Sequence, residues 1–126
     1  MKLRIIICGG RHFDDYRTLE AVVNKKLEED GILPTEVEIV SGHCQGADVL
    51  GERYAKEYGC SLRVYPADWT KYGRAAGAIR NKQMVDYIVP FENRLVIAFV
   101  NENTHGTKNT ISQAKKLSIP VIEIPY

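Results

Sequence analysis

Five short apolar runs, separated by stretches of helical spacing, constrain this 126-residue chain more than any other feature. The first, "LRIIIC" (Leu3 to Cys8), is a continuous β-branched run, the pattern of a strand buried on both faces. "VEIVSG", "SLRVYP", "RLVIAFV" and "IPVIEIP" read as four more strands. Between them, "DDYRTLEAVVNKKLEEDG" puts Leu19, Val22, Val23 and Leu27 on one helical face. Asp14 or Asp15 can cap its start and Gly31 can end it. "GADVLGERYAKEYG" turns Ala47, Leu50, Tyr54, Ala55 and Tyr58 inward and stops at Gly59. "ADWTKYGRAAG" reads as a loop, followed by a helix around "AIRNKQMVDYI" and another over "GTKNTISQAKKL", whose Lys115 and Lys116 suit its negative end. Strand–helix alternation along the whole length implies a parallel sheet with right-handed crossovers. The expected fold is α/β, a Rossmann-like three-layer sandwich of about five parallel strands in the order 3-2-1-4-5, with residues 1–126 as a single domain.

That order directs attention to one end of the sheet. Ligands of open parallel sheets bind beyond the carboxyl ends of the strands, where the winding reverses. Here the crevice lies between strands one and four, with strand two alongside. The loops there are "CGGRHFDD", "SGHCQGAD" and "VNENTHGTKN", all polar, all containing glycine and all followed by a helix. None carries the GxGxxG dinucleotide fingerprint or a GxxxxGK[ST] phosphate loop, which argues against an ordinary NAD dehydrogenase, kinase or ATPase. What remains is anion binding by backbone N–H groups at helix starts. Ser41, Gly42 and Gly46 offer one such turn; Gly106 and Thr107, with its hydroxyl, offer another. Gly9 and Gly10 let the backbone approach a ligand and Arg11 can fork onto its negative part. Asp14 and Asp15 cap the helix and orient that Arg or ribose hydroxyls.

Arg80 stands with Lys71, Arg74 and Lys82 in one cationic segment, and Trp69 and Tyr72 could stack on a base. Asp48 lies in the first turn of its helix, where the dipole favours it with or without a ligand. His12, His43 and His105 fall in the three convergent loops with Cys44 beside His43, but their spacing matches no zinc pattern, so no metal and no cofactor is expected. Hydrophobic residues at 44% and charged residues at 26% are those of an ordinary globular chain, and a net charge of +1 gives no basic field for duplex nucleic acid. No apolar run approaches the roughly 18 residues of a membrane span, and "MKLRIIICGG" lacks a signal peptide's cleavage site. Cys8, Cys44 and Cys60 are odd in number without a CxxC, and Cys8 reads as core packing. A cytoplasmic, unanchored protein is the expectation.

"GGRHFDD", "SGHCQGAD", "PADWTKYGRAAGAIRNKQM" and "HGTKNTISQA", in that order and over nearly the whole chain, resemble the YspA-like branch of the SLOG superfamily. That superfamily includes the LOG phosphoribohydrolases and the DNA-processing protein DprA. The resemblance implies a Rossmann-like fold and a nucleotide or nucleotide-derived ligand, or single-stranded DNA as in DprA. LOG enzymes carry Arg-Lys-x-x-Met; Arg80 and Met84 match, with Asn81 in place of the Lys. Of their Pro-Gly-Gly-x-Gly-Thr-x-x-Glu, Gly106 and Thr107 match, Asn101 to Asn103 depart, and Thr110 stands where the catalytic Glu belongs. Threonine cannot serve as a carboxylate acid. An N-glycosidase acting on a nucleoside 5′-monophosphate would therefore draw its acid from Asp14, Asp48 or Glu102, with Arg80 assisting. From DprA, Ser-Gly-x-x-x-Gly-x-Asp matches Ser41, Gly42, Gly46 and Asp48, and an Arg-Asn pair matches Arg80 and Asn81. The LOG resemblance also raises a homodimer, for which the sequence shows no exposed apolar stripe. The reading favoured here is ligand binding without LOG-type turnover, with a single-stranded DNA-binding module as the alternative.

Overall fold

Isoleucine at three successive positions, Ile5, Ile6 and Ile7, all without solvent exposure, makes the first strand the centre of the molecule. In the computed structural model, which describes all 126 residues, β1 (Leu3–Gly9) pairs in parallel with β2 (Val37–Ser41) on one side and β4 (Arg94–Val100) on the other. β3 (Ser61–Val64) and β5 (Val121–Pro125) form the edges, giving the order β3-β2-β1-β4-β5. The expected topology is the observed one, and the winding reverses between β1 and β4.

Alternate side chains of β1 feed two separate cores. Ile5 and Ile7 pack under α1 (Tyr16–Asp30) and α2 (Ala47–Tyr58); Ile6 and Cys8 pack under α4 (Ala76–Ile88) and α5 (His105–Lys116). Burial on both faces explains why the strand needs no polar alternation. The segment expected as a plain loop is tighter than that. It holds one short helix, α3 (Trp69–Tyr72), capped by the Asp68 carboxylate on the Lys71 N–H at 3.0 Å, and then a single 3-10 turn that runs straight into α4. No helix is long and apolar enough to cross a membrane.

Asp15, not Asp14, caps α1, accepting from the N–H and hydroxyl of Thr18, and Gly31 closes the helix at φ 64°. The junction that positions the site is between β1 and α2. The Ala47 N–H donates to the Gly10 carbonyl at 3.3 Å, and Gly46 packs against the same peptide. At Gly46 φ is 93°, and a Cβ there would stand 2.2 Å from the Gly10 oxygen. Gly31 has the same left-handed need but open space around it. Gly31→Ala is therefore expected to cost about 1 kcal/mol for the backbone alone, and Gly46→Ala roughly 2–4 kcal/mol because the collision adds to it. Urea unfolding of the two variants against wild type measures the difference.

Candidate functional site

A cleft of about 780 Å³ opens at the carboxyl edge of the sheet, above the point where the strand order reverses. That is within the usual range for small-molecule sites. Its walls come from the β1 loop, the first turn of α2, the α3–α4 segment, and the loop from β4 into α5. A smaller depression of about 480 Å³ lies elsewhere, under Lys108, Lys115 and Lys116 on α5. Its surface lysines are solvated and Lys115 already reaches Glu123 at 3.4 Å, so the larger cleft is the better candidate.

Arg80 dominates the cleft. It is only 8% exposed, and all its protein partners are neutral. Its Nη1 donates to the Gly42 carbonyl at 2.5 Å and contacts Cys44 Sγ at 3.6 Å, and its Nε donates to Asn81 Oδ1 at 2.8 Å. The Asn81 amide in turn donates to the Gly106 carbonyl at 3.2 Å and to Asn109 Oδ1 at 3.1 Å. Asn81 thereby ties α4 to the first turn of α5. That turn is open. Thr104 caps α5 without bonding its N–H groups, because its hydroxyl serves Asn101 instead. The first backbone bond of the helix is Lys108 N–H to Thr104 O, which leaves the N–H groups of His105, Gly106 and Thr107 without a backbone acceptor at the cleft wall. Partial positive charge at such a turn favours an anion.

The structure brings Gly9, Gly10, Arg11, Asp48, Trp69, Arg80, Asn81, Gly106 and Thr107 to one cleft. Arg11 is exposed and free of the ion pairs with Asp14 or Asp15 that could have engaged it. Trp69, 54% exposed, stands at the rim over Gly77. His12, His105 and Thr110 also line the cleft. Other expected residues lie elsewhere. Asp14 and Glu102 are exposed loop residues that do not line the cleft, which leaves Asp48 as its one carboxylate. Ser41 is fully buried and spends its hydroxyl on Glu52 at 2.8 Å. Gly46 packs on the Gly10 peptide and Gly42 lies against Arg80 and Asp48, and neither lines the cleft, to which the "SGHCQGAD" turn gives Cys44 and Asp48 instead of the expected glycine cradle. His43 turns away to Glu52, its Nδ1 lying 2.8 Å from the same Oε2 that Ser41 contacts. The carboxylate sits between serine and histidine, which is not a nucleophile relay. The cationic segment also divides. Arg74 and Arg80 face the cleft, Lys71 faces a neighbouring hollow, and Lys82 is exposed and paired with Asp86 at 2.7 Å. Tyr72 lines that same hollow rather than the cleft. One lining residue that the sequence reading passed over is Tyr126, just beyond β5; the order β4-β5 was its signal, since parallel strands end on one edge.

Asp48 is 5% exposed and has no cation within ion-pairing distance. Its Oδ2 accepts from the Cys44 N–H at 3.3 Å. Burial pushes its carboxyl up to about 6, against the smaller opposing pulls of that hydrogen bond and of Arg80. Cation and carboxylate converge without pairing: a Cβ on Gly42 would lie 2.7 Å from Arg80 Nη1 and 2.8 Å from Asp48 Oδ2.

The sequence model of the YspA, cpYpsA-related SLOG family matches residues 3–72, from β1 through α3, including the first two of the three glycine-containing loops. The chain belongs to that family. Among curated proteins, this SLOG chain is 28% identical over 124 residues to the Gene 61 protein of Mycobacterium phage D29, covering 94% of each. Among solved structures it resembles DNA processing protein A (DprA) from Streptococcus pneumoniae, with a TM-score of 0.71 at 17% identity. That match takes in 99% of the SLOG chain but 50% of DprA, so the chain spans about half the length of that protein. At this identity the likeness is one of fold.

The buried carboxylate has a measurable consequence for stability. The folded state holds the Asp48 proton more tightly than the unfolded chain does, so stability falls as pH rises from 3.8 through about 6. Asp48→Asn keeps an acceptor for Cys44 and removes the titration. It is expected to be more stable than wild type at pH 7, by on the order of 2 kcal/mol, and to lose that advantage below pH 4. Urea midpoints of both proteins across that range test it.

Proposed function

We propose that this cleft binds a nucleotide or nucleotide-derived small molecule by its phosphate, and that the protein works as a binder or sensor without LOG-type hydrolysis. The observation that carries the reading is Arg80: a buried guanidinium with only neutral partners, facing a cleft whose other wall is an open helix start. A buried cation that no carboxylate pairs directly is only partly compensated, since Asp48 stands close by but makes no ion pair with it, and an anionic ligand would supply the direct counter-charge. Arg11 and Arg74 add cations at the mouth, and the exposed Trp69 offers a face for a base. Thr110 lines the same cleft, almost fully buried, where LOG enzymes hold their glutamate. Asp48 is the one carboxylate available to an N-glycosidase, and it reaches the cleft from a different helix.

A second reading, binding of single-stranded DNA, draws on the fold shared with DprA. It is the weaker one. Tracking a nucleic-acid backbone takes a continuous basic groove, and Lys71 and Lys82 do not line the cleft.

Nucleoside 5′-monophosphates are expected to raise the melting temperature, by several degrees at about a hundred times Kd, and the matching nucleosides much less. Arg80→Lys keeps the charge and loses the fork; it is expected to fold and to bind the monophosphates more weakly. Equal shifts from nucleosides would remove the phosphate from the reading. Chromatography of a wild-type incubation is expected to show no released base. Sustained release that is lost in Asp48→Asn would make the protein a hydrolase with Asp48 as its acid. Oligonucleotide binding that weakens steeply with salt, in the absence of any monophosphate shift, would favour the second reading.

A further inference from the structure

Tyr126 is placed with more care than a surface aromatic needs. Its N–H donates to the Val100 carbonyl at 3.0 Å, which lays it along the end of β4. Its ring stands edge-on to Phe13, 5.1 Å between centroids at 72°, and Phe13 is stacked on the buried Phe99 at 4.3 Å. An aromatic row thus rises from the core to the cleft and fixes the ring from below. The hydroxyl is delivered directly over Gly10, where a Cβ would lie 1.5 Å from the phenolic oxygen. Any side chain at position 10 would shut the phenol out. The residue is 42% exposed, it lines the cleft, and its hydroxyl makes no hydrogen bond within the protein. Contact with Phe13 would be served as well by phenylalanine, so the ring's packing does not account for the oxygen.

The oxygen's neighbour shows what it can serve. Thr104, the residue that caps α5, brings its methyl group to 3.0 Å from the same point above Gly10. The hydroxyl therefore stands beside the helix start whose N–H groups are open. Arg80 approaches from the side of the sheet covered by α4 and α5, and Tyr126 is anchored through Phe13 on the other.

We propose that Tyr126 is a phosphate-recognition residue, its hydroxyl donating to the ligand's anion beside the N–H groups of His105, Gly106 and Thr107. The assignment rests on the phosphate reading above and adds a donor to it that comes from outside the three glycine-containing loops. A hydroxyl donor makes a short, directional bond to an anionic oxygen, and Gly10 is the cut-out that lets it reach.

Calorimetric titration of wild type, Tyr126→Phe and Tyr126→Ala with the four common nucleoside 5′-monophosphates and their nucleosides tests this. Tyr126→Phe is expected to bind the preferred monophosphate about tenfold more weakly, with nucleoside binding and the unliganded melting temperature unchanged. Gly10→Ala, which displaces the phenol, is expected to weaken the monophosphate as well. Undiminished affinity in Tyr126→Phe would overturn the assignment. So would an equal loss for nucleoside and monophosphate, since the hydroxyl would then read the sugar or base. Tighter binding by Tyr126→Ala would make the ring a cover over the site instead of a contact in it. Wild type that binds no monophosphate would sink the phosphate reading and this inference together, whereas failure of the inference alone leaves wild-type binding intact.

Discussion

The Arg80 guanidinium connects parts of the molecule that no other side chain reaches at once. Through the Gly42 carbonyl and Cys44 it holds the loop after β2, and through Asn81 it holds the first turn of α5. The relative position of β2's end, α4 and α5 is set by this chain of hydrogen bonds, at the edge where the sheet's winding reverses. Charge-assisted donors suit the task because each bond is stronger than its neutral counterpart. The same choice puts a full positive charge almost out of water with no carboxylate in direct contact with it. A lysine would keep the charge but not both bonds, since a single ammonium lacks the planar fork that reaches Gly42 and Asn81 together.

Asp48 is the complementary oddity. It is buried within reach of Arg80's field, yet it serves the Cys44 N–H and does not close an ion pair. Unpaired, they set a cation and a carboxyl that burial pushes up to about 6 near one another above Gly42. Everything beneath them is apolar and regular: β1 is isoleucine on both faces, and the two cores are filled by aliphatic and aromatic side chains. Stability is supplied by the sheet and given up at its carboxyl edge, a distribution that makes sense where a ligand completes the electrostatics.

The architecture was readable because its signals are local and repeated. A β-branched run followed by a 3.6-residue stripe, four times over and closed by a fifth strand, leaves few topologies, and the strand order then names the edge where a site belongs. Side-chain direction at that edge was readable only in part. Arg80 and Lys82 looked like one cationic segment, but two helical steps turn them about 200° apart, and one is buried while the other pairs with Asp86. That separation was available from helical geometry alone. The packing of Gly42 and Gly46 away from the cleft was not, because it depends on Gly10 and Arg80, far away in sequence. Asp14 and Glu102 shared loops with the site without facing it, since a loop's membership fixes its end of the sheet and not the aim of each side chain. Tyr126 lay outside every glycine motif; the strand order put it at the right edge, and the aromatic row beneath it fixes where its ring stands.

Thr110 bears on what this arrangement can do chemically. A LOG-type step needs a carboxylate on the helix after β4, facing the sugar as positive charge develops there. This helix offers a buried threonine at that position, and its first turn offers neutral N–H donors. The one cleft carboxylate comes from α2 and is already bonded to a backbone N–H. Cleavage would therefore have to draw its acid from α2 and not from the helix after β4. Binding needs no acid at all. The groups already stand where an anion would meet them, and they keep their positions because Asn81, Thr104 and the row of aromatic rings are held by the fold itself.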